Sequence, residues 1–312
     1  MIDPKLQQTL LRAAVGVLVV VSLSGLGIAA LKNFEDGRDI AFELSAPAWF
    51  FLLAIQAVVL VIAAYAWRFS LKAFAQFEMP FDSALAQTGL MQLSKYIPGK
   101  VWGILVKGWM SRSQGLPFKD SVRVSLVEQF VTMGLGLVGG LTLLVTAAQP
   151  AALLPAVVFV AALASAGAVG FVHIYPFLLK HYHRFRGTAN PEEITRIPRL
   201  TTVSFLVGQH ILIWCLVASV IAVLLAGLGV DLEIESLATV TGATMLSVTI
   251  GLIAFFAPGG IGIREGSLIL LLSHSLGVEN AAMFAICLRL WTTAYDVLAS
   301  ATAGIVLLKG LK

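Results

Sequence analysis

Water cannot be the main solvent of a 312-residue chain in which 58% of the residues are hydrophobic and only 12% are charged. A soluble domain carries roughly 25% charged residues, so this composition excludes an ordinary soluble protein and indicates an integral membrane protein. The formal net charge is +4, but the basic residues gather at the ends of apolar runs, which argues against a nucleic-acid-binding surface.

The apolar runs predict the fold class. A helix needs about 20 residues to cross a hydrocarbon core of about 30 Å, and a membrane β-barrel would need short alternating segments instead. We therefore predict an all-α polytopic membrane protein, a single integral membrane domain over residues 1–312, with about six full spans. In chain order, these spans are predicted at residues 10–31, 47–67, 121–147, 151–175, 201–229 and 280–308.

Lys and Arg in short loops predict which ends of the spans face the cytoplasm. Residues 107–123, residues 176–200 and the C-terminal tail are rich in basic side chains, whereas residues 230–236 contain three acidic residues and no Lys or Arg. We expect the basic segments and both termini to be cytoplasmic, in a bacterial inner (plasma) membrane.

Two less apolar stretches do not read as simple spans. Residues 83–110 have basic residues on both sides and are interrupted at Pro98-Gly99, which predicts a re-entrant hairpin from the cytoplasmic face. Residues 236–276 are interrupted at 258–262 and must begin and end outside, which predicts a second hairpin from the opposite face.

Each predicted hairpin lies between two spans, and this order defines two repeat units at 47–147 and 201–308. The two units have the same order of elements and opposite orientation. Glu128 and Arg289 lie at nearly the same distance beyond the interruption of their own unit. Interrupted segments at corresponding positions of two inverted units are the pattern typical of a transport site near the repeat interface.

The two interruptions are candidate binding elements. Non-helical backbone at membrane depth is tolerated only where it is buried in protein or lines a wet cavity. We predict that a short helix begins at about Val101 and another at about Ile263, and that their free N–H groups attract an anion. The alternative is a kinked helix in which Pro and Gly serve packing. The occurrence of two such interruptions favours a site.

Charged residues inside the apolar runs extend the candidate site, since each costs at least about 2.5 to 3.5 kcal/mol at the bilayer centre unless it is paired or hydrated. They either form structural ion pairs, such as Glu128 with Arg289 or Arg264 with Asp296, or they bind a lipid head group or an ion. The candidate substrate-binding residues are Lys95, Pro98, Gly99, Lys100, Glu128, Pro258, Gly259, Gly260, Gly262, Arg264, Glu265, Arg289 and Asp296.

The lysines around the first interruption admit two interpretations. Lys95, Lys100 and Lys107 either bind an anionic head group or extend to the lipid phosphates, as Lys near a helix end commonly does. Lys100 is the strongest candidate because it is next to the predicted helix start. The chain has no Walker A, H-E-x-x-H or G-x-S-x-G motif, so no cofactor, metal or catalytic residue is predicted.

Both interruptions lie in segments with a family resemblance. Residues 94–103 (SKYIPGKVWG) and 257–266 (APGGIGIREG) closely resemble the two signature segments of the lysylphosphatidylglycerol synthase transmembrane family, which includes the flippase domain of the multiple peptide resistance factor. The resemblance covers nearly the whole chain. It implies an integral membrane fold and, for the best-known member, movement of an aminoacylated phospholipid between leaflets. That member also has a soluble aminoacyl-transferase domain, which we do not expect here because the sequence ends at Lys312 directly after its last span.

The leading functional hypothesis is a transporter for a phospholipid or a lipid-linked polyprenyl-phosphate intermediate, with an anionic or zwitterionic lipid head group as its binding partner. Arg264 and Arg289 would supply positive charge, and Glu128, Glu265 and Asp296 would pair with them or carry coupling protons. One alternative is a membrane enzyme acting on a lipid phosphate, with Glu128 and Asp296 as acid and base. Another is a non-catalytic partner of a lipid or glycan biosynthetic enzyme.

Overall fold

A computed structural model describes residues 44–97, 101–147, 200–254 and 257–309, with scattered positions between 151 and 170. The predicted span 10–31, most of the predicted span 151–175 and the basic loop at 176–199 lie outside the described residues. The same is true of Pro98, Gly99 and Lys100, so the first interruption is known from the residues on either side of it.

The described residues are helical and contain no strand, which confirms the all-α prediction. Besides the α-helices, they include one π-helical turn and one 3₁₀ turn. The elements are α1 Ala46–Ala75, α2 Phe81–Ser94, α3 Trp102–Arg112, α4 Phe118–Gly134, a π-helical turn Leu135–Gly139, α5 Gly140–Thr146, α6 Leu200–Gly227, α7 Ile234–Ile253, a 3₁₀ turn Pro258–Gly260, α8 Ile263–Leu276 and α9 Val278–Lys309.

The described helices include five stretches long and apolar enough to cross a bilayer, so the chain is a multi-pass membrane protein. These stretches are Ala46–Ala75, Phe118–Thr146, Thr201–Gly227, Ile234–Ile253 and Val278–Leu308. Four of them match predicted spans. The remaining one is α7, which the sequence predicted as the first arm of a hairpin and which is itself 20 residues long. The total number of spans stays a prediction.

A helix ends shortly before each interruption. Helix α2 ends at Ser94, and the residue before Pro98 is disfavoured from helical conformation by the proline ring. After α7 ends at Ile253, Gly259, Gly260 and Gly262 all adopt positive φ angles of 58°, 71° and 81°. L-residues rarely adopt such angles, so the glycines allow a non-helical backbone there. The predicted helix starts are confirmed, since α3 begins at Trp102 and α8 at Ile263.

The helices of each predicted unit pack against helices of the other unit. Helix α2 contacts α3, and α7 contacts α8, as expected for two hairpins. Helix α2 also packs along α9, while α7 packs along α5 and the π-helical turn, and α1 packs along α6. Each hairpin therefore lies against the last helix of the other predicted unit rather than only against its own.

Small residues make these close contacts possible. A side chain at Gly89 of α2 would collide with the backbone carbonyl of Ala299 in α9. On the other side, a Cβ at Gly140 of α5 would lie 2.8 Å from the carbonyl oxygen of Gly242 in α7. Both helix pairs are thus packed backbone to backbone, as small residues at membrane helix interfaces allow.

Candidate functional site

The chain just before the first interruption meets the second interruption in a direct backbone contact. The Gly259 N–H donates a hydrogen bond of 2.8 Å to the Lys95 carbonyl oxygen, and Arg289 Nη1 donates one of 3.0 Å to the Gly259 carbonyl oxygen. The Tyr96 ring covers Gly259 so closely that an added Cβ would lie 2.9 Å from it. We call this meeting point, formed by Lys95, Tyr96, Gly259, Arg289 and Asp296, the junction.

The Asp296 carboxylate of α9 has a hydrogen-bond donor on each of its oxygens. Its side chain is 0% exposed; Oδ1 accepts a hydrogen bond of 2.7 Å from Lys95 Nζ and Oδ2 accepts one of 2.6 Å from the Tyr96 hydroxyl. The predicted pairing of Arg264 with Asp296 is wrong: because α2 lies along α9, Lys95 reaches the carboxylate and forms the ion pair instead.

Glu265 occupies the start of α8. Its Oε2 accepts a hydrogen bond of 2.7 Å from the Gly262 N–H, and its Oε1 lies 3.4 Å from Arg289 Nε. One amide at the start of this helix is therefore occupied by a carboxylate of the same helix. A carboxylate in this position also interacts favourably with the positive end of the helix dipole.

A small cavity of about 10 Å³ lies beside the junction, with room for about one water molecule. Its polar lining comes from Ser247, Arg264, Glu265, Arg289 and Thr292. Arg289 Nη2 is buried without a hydrogen-bond partner, and Arg264 forms no ion pair or side-chain hydrogen bond with a described residue. Positive charge is thus less fully compensated here than negative charge.

Gly251 in the last turn of α7 and Gly260 after it allow Arg264 to lie close to the backbone. A Cβ at Gly260 would lie 3.2 Å from the Cα of Gly251, and a Cβ at Gly251 would lie 2.7 Å from Arg264 Cγ. The structure therefore brings together nine of the predicted residues at or beside the junction. They are Lys95, Pro258, Gly259, Gly260, Gly262, Arg264, Glu265, Arg289 and Asp296.

Glu128 belongs to a different cluster, between α1, α3 and α4. It accepts hydrogen bonds from Lys107 Nζ at 3.1 Å and from Ser70 Oγ at 2.9 Å, so the predicted pairing with Arg289 is wrong. Lys107 is only 3% exposed, and its Nζ lies 3.8 Å from the centroid of the Trp67 ring. Neither interpretation of Lys107, head-group binding or extension to lipid phosphates, fits this buried position, because α3 packs against α4 and holds the ammonium on Glu128.

The sequence interpretation missed four side chains of these clusters. Tyr96 and Thr293 contact each other through their hydroxyl oxygens at 3.2 Å, next to Asp296. Ser70 donates to Glu128, and Trp67 lies beneath Lys107. Two of the four could have been found. Tyr96 directly follows Lys95, and Thr293 lies three residues before Asp296 on the same helical face. Trp67 is an ordinary interfacial residue by sequence, so nothing marked it.

Comparison with known proteins gives one result. A family model described as the lysylphosphatidylglycerol synthase TM region matches residues 9–300, nearly the whole chain. No curated protein matches the chain significantly, and neither does any solved structure.

Proposed function

Because the chain belongs to the lysylphosphatidylglycerol synthase transmembrane family, we propose that it is a flippase-like transporter, which moves a phospholipid or a lipid-linked polyprenyl-phosphate intermediate between leaflets. The observation that carries this proposal is the charge at the contact of the two interruptions. Among the described residues, Lys95, Arg264 and Arg289 face two carboxylates, Asp296 and Glu265, and this set carries one excess positive charge in a membrane domain.

A lipid phosphate has the charge that this arrangement lacks. Uncompensated charge in a low-dielectric region is costly, so an anionic group that approaches Arg264 and the free Nη2 of Arg289 is stabilised there. Guanidinium groups also bind phosphate oxygens with two parallel hydrogen bonds. Asp296 and Glu265 act in the absence of the lipid as internal anions, which keep Lys95 and Arg289 paired.

Binding of a head group requires the junction to open. The cavity of about 10 Å³ is far smaller than the roughly 300 Å³ or more of a typical ligand pocket. Opening separates Lys95 and Tyr96 on one side from Gly259 and Asp296 on the other, and these groups belong to different predicted units. Movement of one unit against the other is the usual route of alternating access.

The helix contacts support two inverted repeat units at 47–147 and 201–308. If each helix is replaced by its counterpart in the other unit, the contact of α2 with α9 becomes the contact of α7 with α5. The same exchange turns each hairpin into the other and leaves the contact of α1 with α6 unchanged. The basic loops favour cytoplasmic termini in a bacterial inner membrane. Within this arrangement, Glu128 and Lys107 fix α3 on α4, away from the head group.

Leaflet-resolved transport in proteoliposomes tests the proposal. The assay uses a panel of fluorescent phospholipids and a membrane-impermeant quencher with the wild type, Arg264→Ala and Arg289→Ala. We expect both changes to slow lipid movement at least about tenfold, the equivalent of 1.4 kcal/mol of lost interaction. The matched control is Arg112→Ala, which removes one positive charge from an exposed position and is expected to leave transport unchanged.

Chemical analysis of the recovered lipid separates the two other candidate functions. A transporter returns the lipid intact, whereas an enzyme acting on a lipid phosphate returns an altered one. Unaltered lipid that never changes leaflet, in wild type and variants alike, would replace the transporter with a non-catalytic partner of a lipid or glycan biosynthetic enzyme.

A further inference from the structure

A second and much larger cavity lies away from the junction, between the π-helical turn with α5, α6 and α7. Its volume is about 300 Å³, and it is partly open to the outside of the helix bundle. Small residues on all three sides, Gly139, Ala218 and Ala238, create the space. The π-helical turn adds to it, and such turns within α-helices are frequent at functional sites.

The described residues that line this cavity, which include Val160, are almost all apolar. Of its two threonines, Thr142 donates its hydroxyl to the Val138 carbonyl of its own helix, and Thr241 has a buried Oγ1 without a partner. Water needs two to four polar partners to occupy a cavity, and this wall does not supply them. The volume is twice the roughly 150 Å³ of an apolar cavity that stays dry and binds benzene. Its natural occupant is therefore a hydrocarbon group.

Helix α7 connects this cavity to the junction. Residues from Ile234 to Met245 line the cavity, and the same helix ends at Ile253, just before the 3₁₀ turn that contains Gly259. At 1.5 Å per residue, the nearest end of the cavity lies roughly 12 Å along α7 from the end of that helix. The long acyl or prenyl chain of a lipid can span this distance.

We propose that the cavity binds the hydrocarbon tail of a lipid while its phosphate occupies the opened junction. This inference rests on the proposed function, which specifies the head group of the lipid, and it adds a binding site for the tail. Lipid tails are the surrounding solvent of a membrane helix bundle, so a long chain reaches the cavity without crossing water. Selection then depends on chain length as well as on head-group charge.

Native Cys215 is a probe for this proposal, since its side chain is exposed and lines the cavity. The rate of its alkylation by N-ethylmaleimide is measured by peptide mass spectrometry in a steroid-based detergent, with buried Cys287 as the internal reference. We expect dihexadecanoyl phosphatidic acid at about ten times its half-saturating concentration to slow alkylation about tenfold. Dihexanoyl phosphatidic acid, whose chains are too short to reach the cavity from the junction, is expected to have no effect.

Filling the cavity tests the location. We expect Ala238→Trp to abolish the protection of Cys215 by the long-chain lipid. Ala238→Leu is a smaller change that preserves folding if the indole does not fit, and we expect it to reduce this protection. The matched control is Leu270→Trp, because Leu270 is 79% exposed on α8; it should keep the full tenfold protection. Equal protection by both lipids, or full protection in both Ala238 variants, would overturn the proposal. Slow alkylation of Cys215 in delipidated protein, unchanged when lipid is added, would also overturn the proposal, because the protein's own chain would then fill the cavity.

A neutral lipid separates this inference from the proposed function. Dihexadecanoylglycerol has the same tails without a phosphate, and we expect it to protect Cys215 less well than phosphatidic acid. If both protect equally and Arg264→Ala changes neither, the tail site stands and the phosphate site at the junction fails. If neither long-chain lipid protects while transport still depends on Arg264, the tail site fails and the proposed function stands.

Discussion

The two helix interfaces that join the predicted units differ in what holds them. The interface of α2 with α9 combines close packing at Gly89 with charged and polar contacts, which are Lys95 and Tyr96 on Asp296 and the Ser300 hydroxyl on the Gly89 carbonyl. The interface of α5 with α7 is equally close at Gly140 and Gly242. No ion pair or side-chain hydrogen bond joins the described residues of these two helices, since the hydroxyls of Thr142 and Thr249 donate to their own helices.

This difference indicates a division of roles. The α2 and α9 interface has specific partners, which the proposed anionic head group would exchange, so its state depends on charge. The described residues of α5 and α7 meet through shape alone, and we propose that this interface shifts without breaking a polar contact. A protein that moves one unit against the other needs both kinds of interface: one that responds to the substrate and one that offers little resistance.

The largest expected effect comes from removing the carboxylate of the charged interface. Asp296→Ala leaves the Lys95 ammonium and the Tyr96 hydroxyl without their acceptor, and such a loss in a buried pair costs about 3 to 5 kcal/mol. We expect the lower end of this range, because the Lys95 side chain is 34% exposed. The free energy of unfolding in detergent, measured by denaturant titration, gives the value. An unchanged free energy would mean that this interface is not held by charge.

The shape-dependent interface is broken by a side chain at its closest point. A Cβ at Gly242 would lie 2.8 Å from the Gly140 carbonyl oxygen, so Gly242→Val must push the two backbones apart, at a cost near the upper end of about 1 to 3 kcal/mol. The control is Gly304→Val in α9, where an added Cβ meets no atom within 4 Å. Equal melting temperatures of the two variants would contradict close packing between α5 and α7.

A smaller change sharpens the comparison, because it removes one hydrogen bond and keeps the ion pair. In Tyr96→Phe the ring still covers Gly259, but Asp296 Oδ2 loses its donor at 2.6 Å. We expect a loss of about 1.5 kcal/mol, typical of a hydrogen bond to a charged group. The same unfolding titration measures it. Combining this change with Asp296→Ala should add little further loss, and fully additive losses would show that the hydroxyl acts elsewhere.

The smallest effect is expected at an exposed ion pair at the end of α1, which serves as the reference for both interfaces. Lys72 donates a hydrogen bond of 2.6 Å to Glu78, and this hydrogen bond lowers the pKa of the Glu78 carboxyl. A lowered folded-state pKa means that the stabilisation is present above the unfolded-state pKa and is lost as the pH falls through the folded-state pKa. We expect Glu78→Gln to lower the melting temperature slightly at neutral pH and not at all in acid. A difference that grows in acid would contradict this.

Much of the architecture is determined by the sequence. Composition and the length of the apolar runs indicate membrane helices, because few other structures satisfy the hydrogen bonds of the backbone inside a bilayer. Proline and glycine mark where helices end, so the starts of α3 and α8 are predictable to within a residue. The signature segments identify the family, and the intramembrane charges identify candidate residues, because each such charge is costly without a partner.

Only the tertiary structure decided which charges pair. The sequence offered Glu128 with Arg289 and Arg264 with Asp296, whereas the structure pairs Glu128 with Lys107, Arg289 with Glu265 and Asp296 with Lys95. Spacing along one helix places residues on a face, but the partner on another helix depends on which helices touch. For Asp296 and Lys95, that choice came with the close packing of α2 on α9 at Gly89, whose effect is visible only when two backbones are placed against each other.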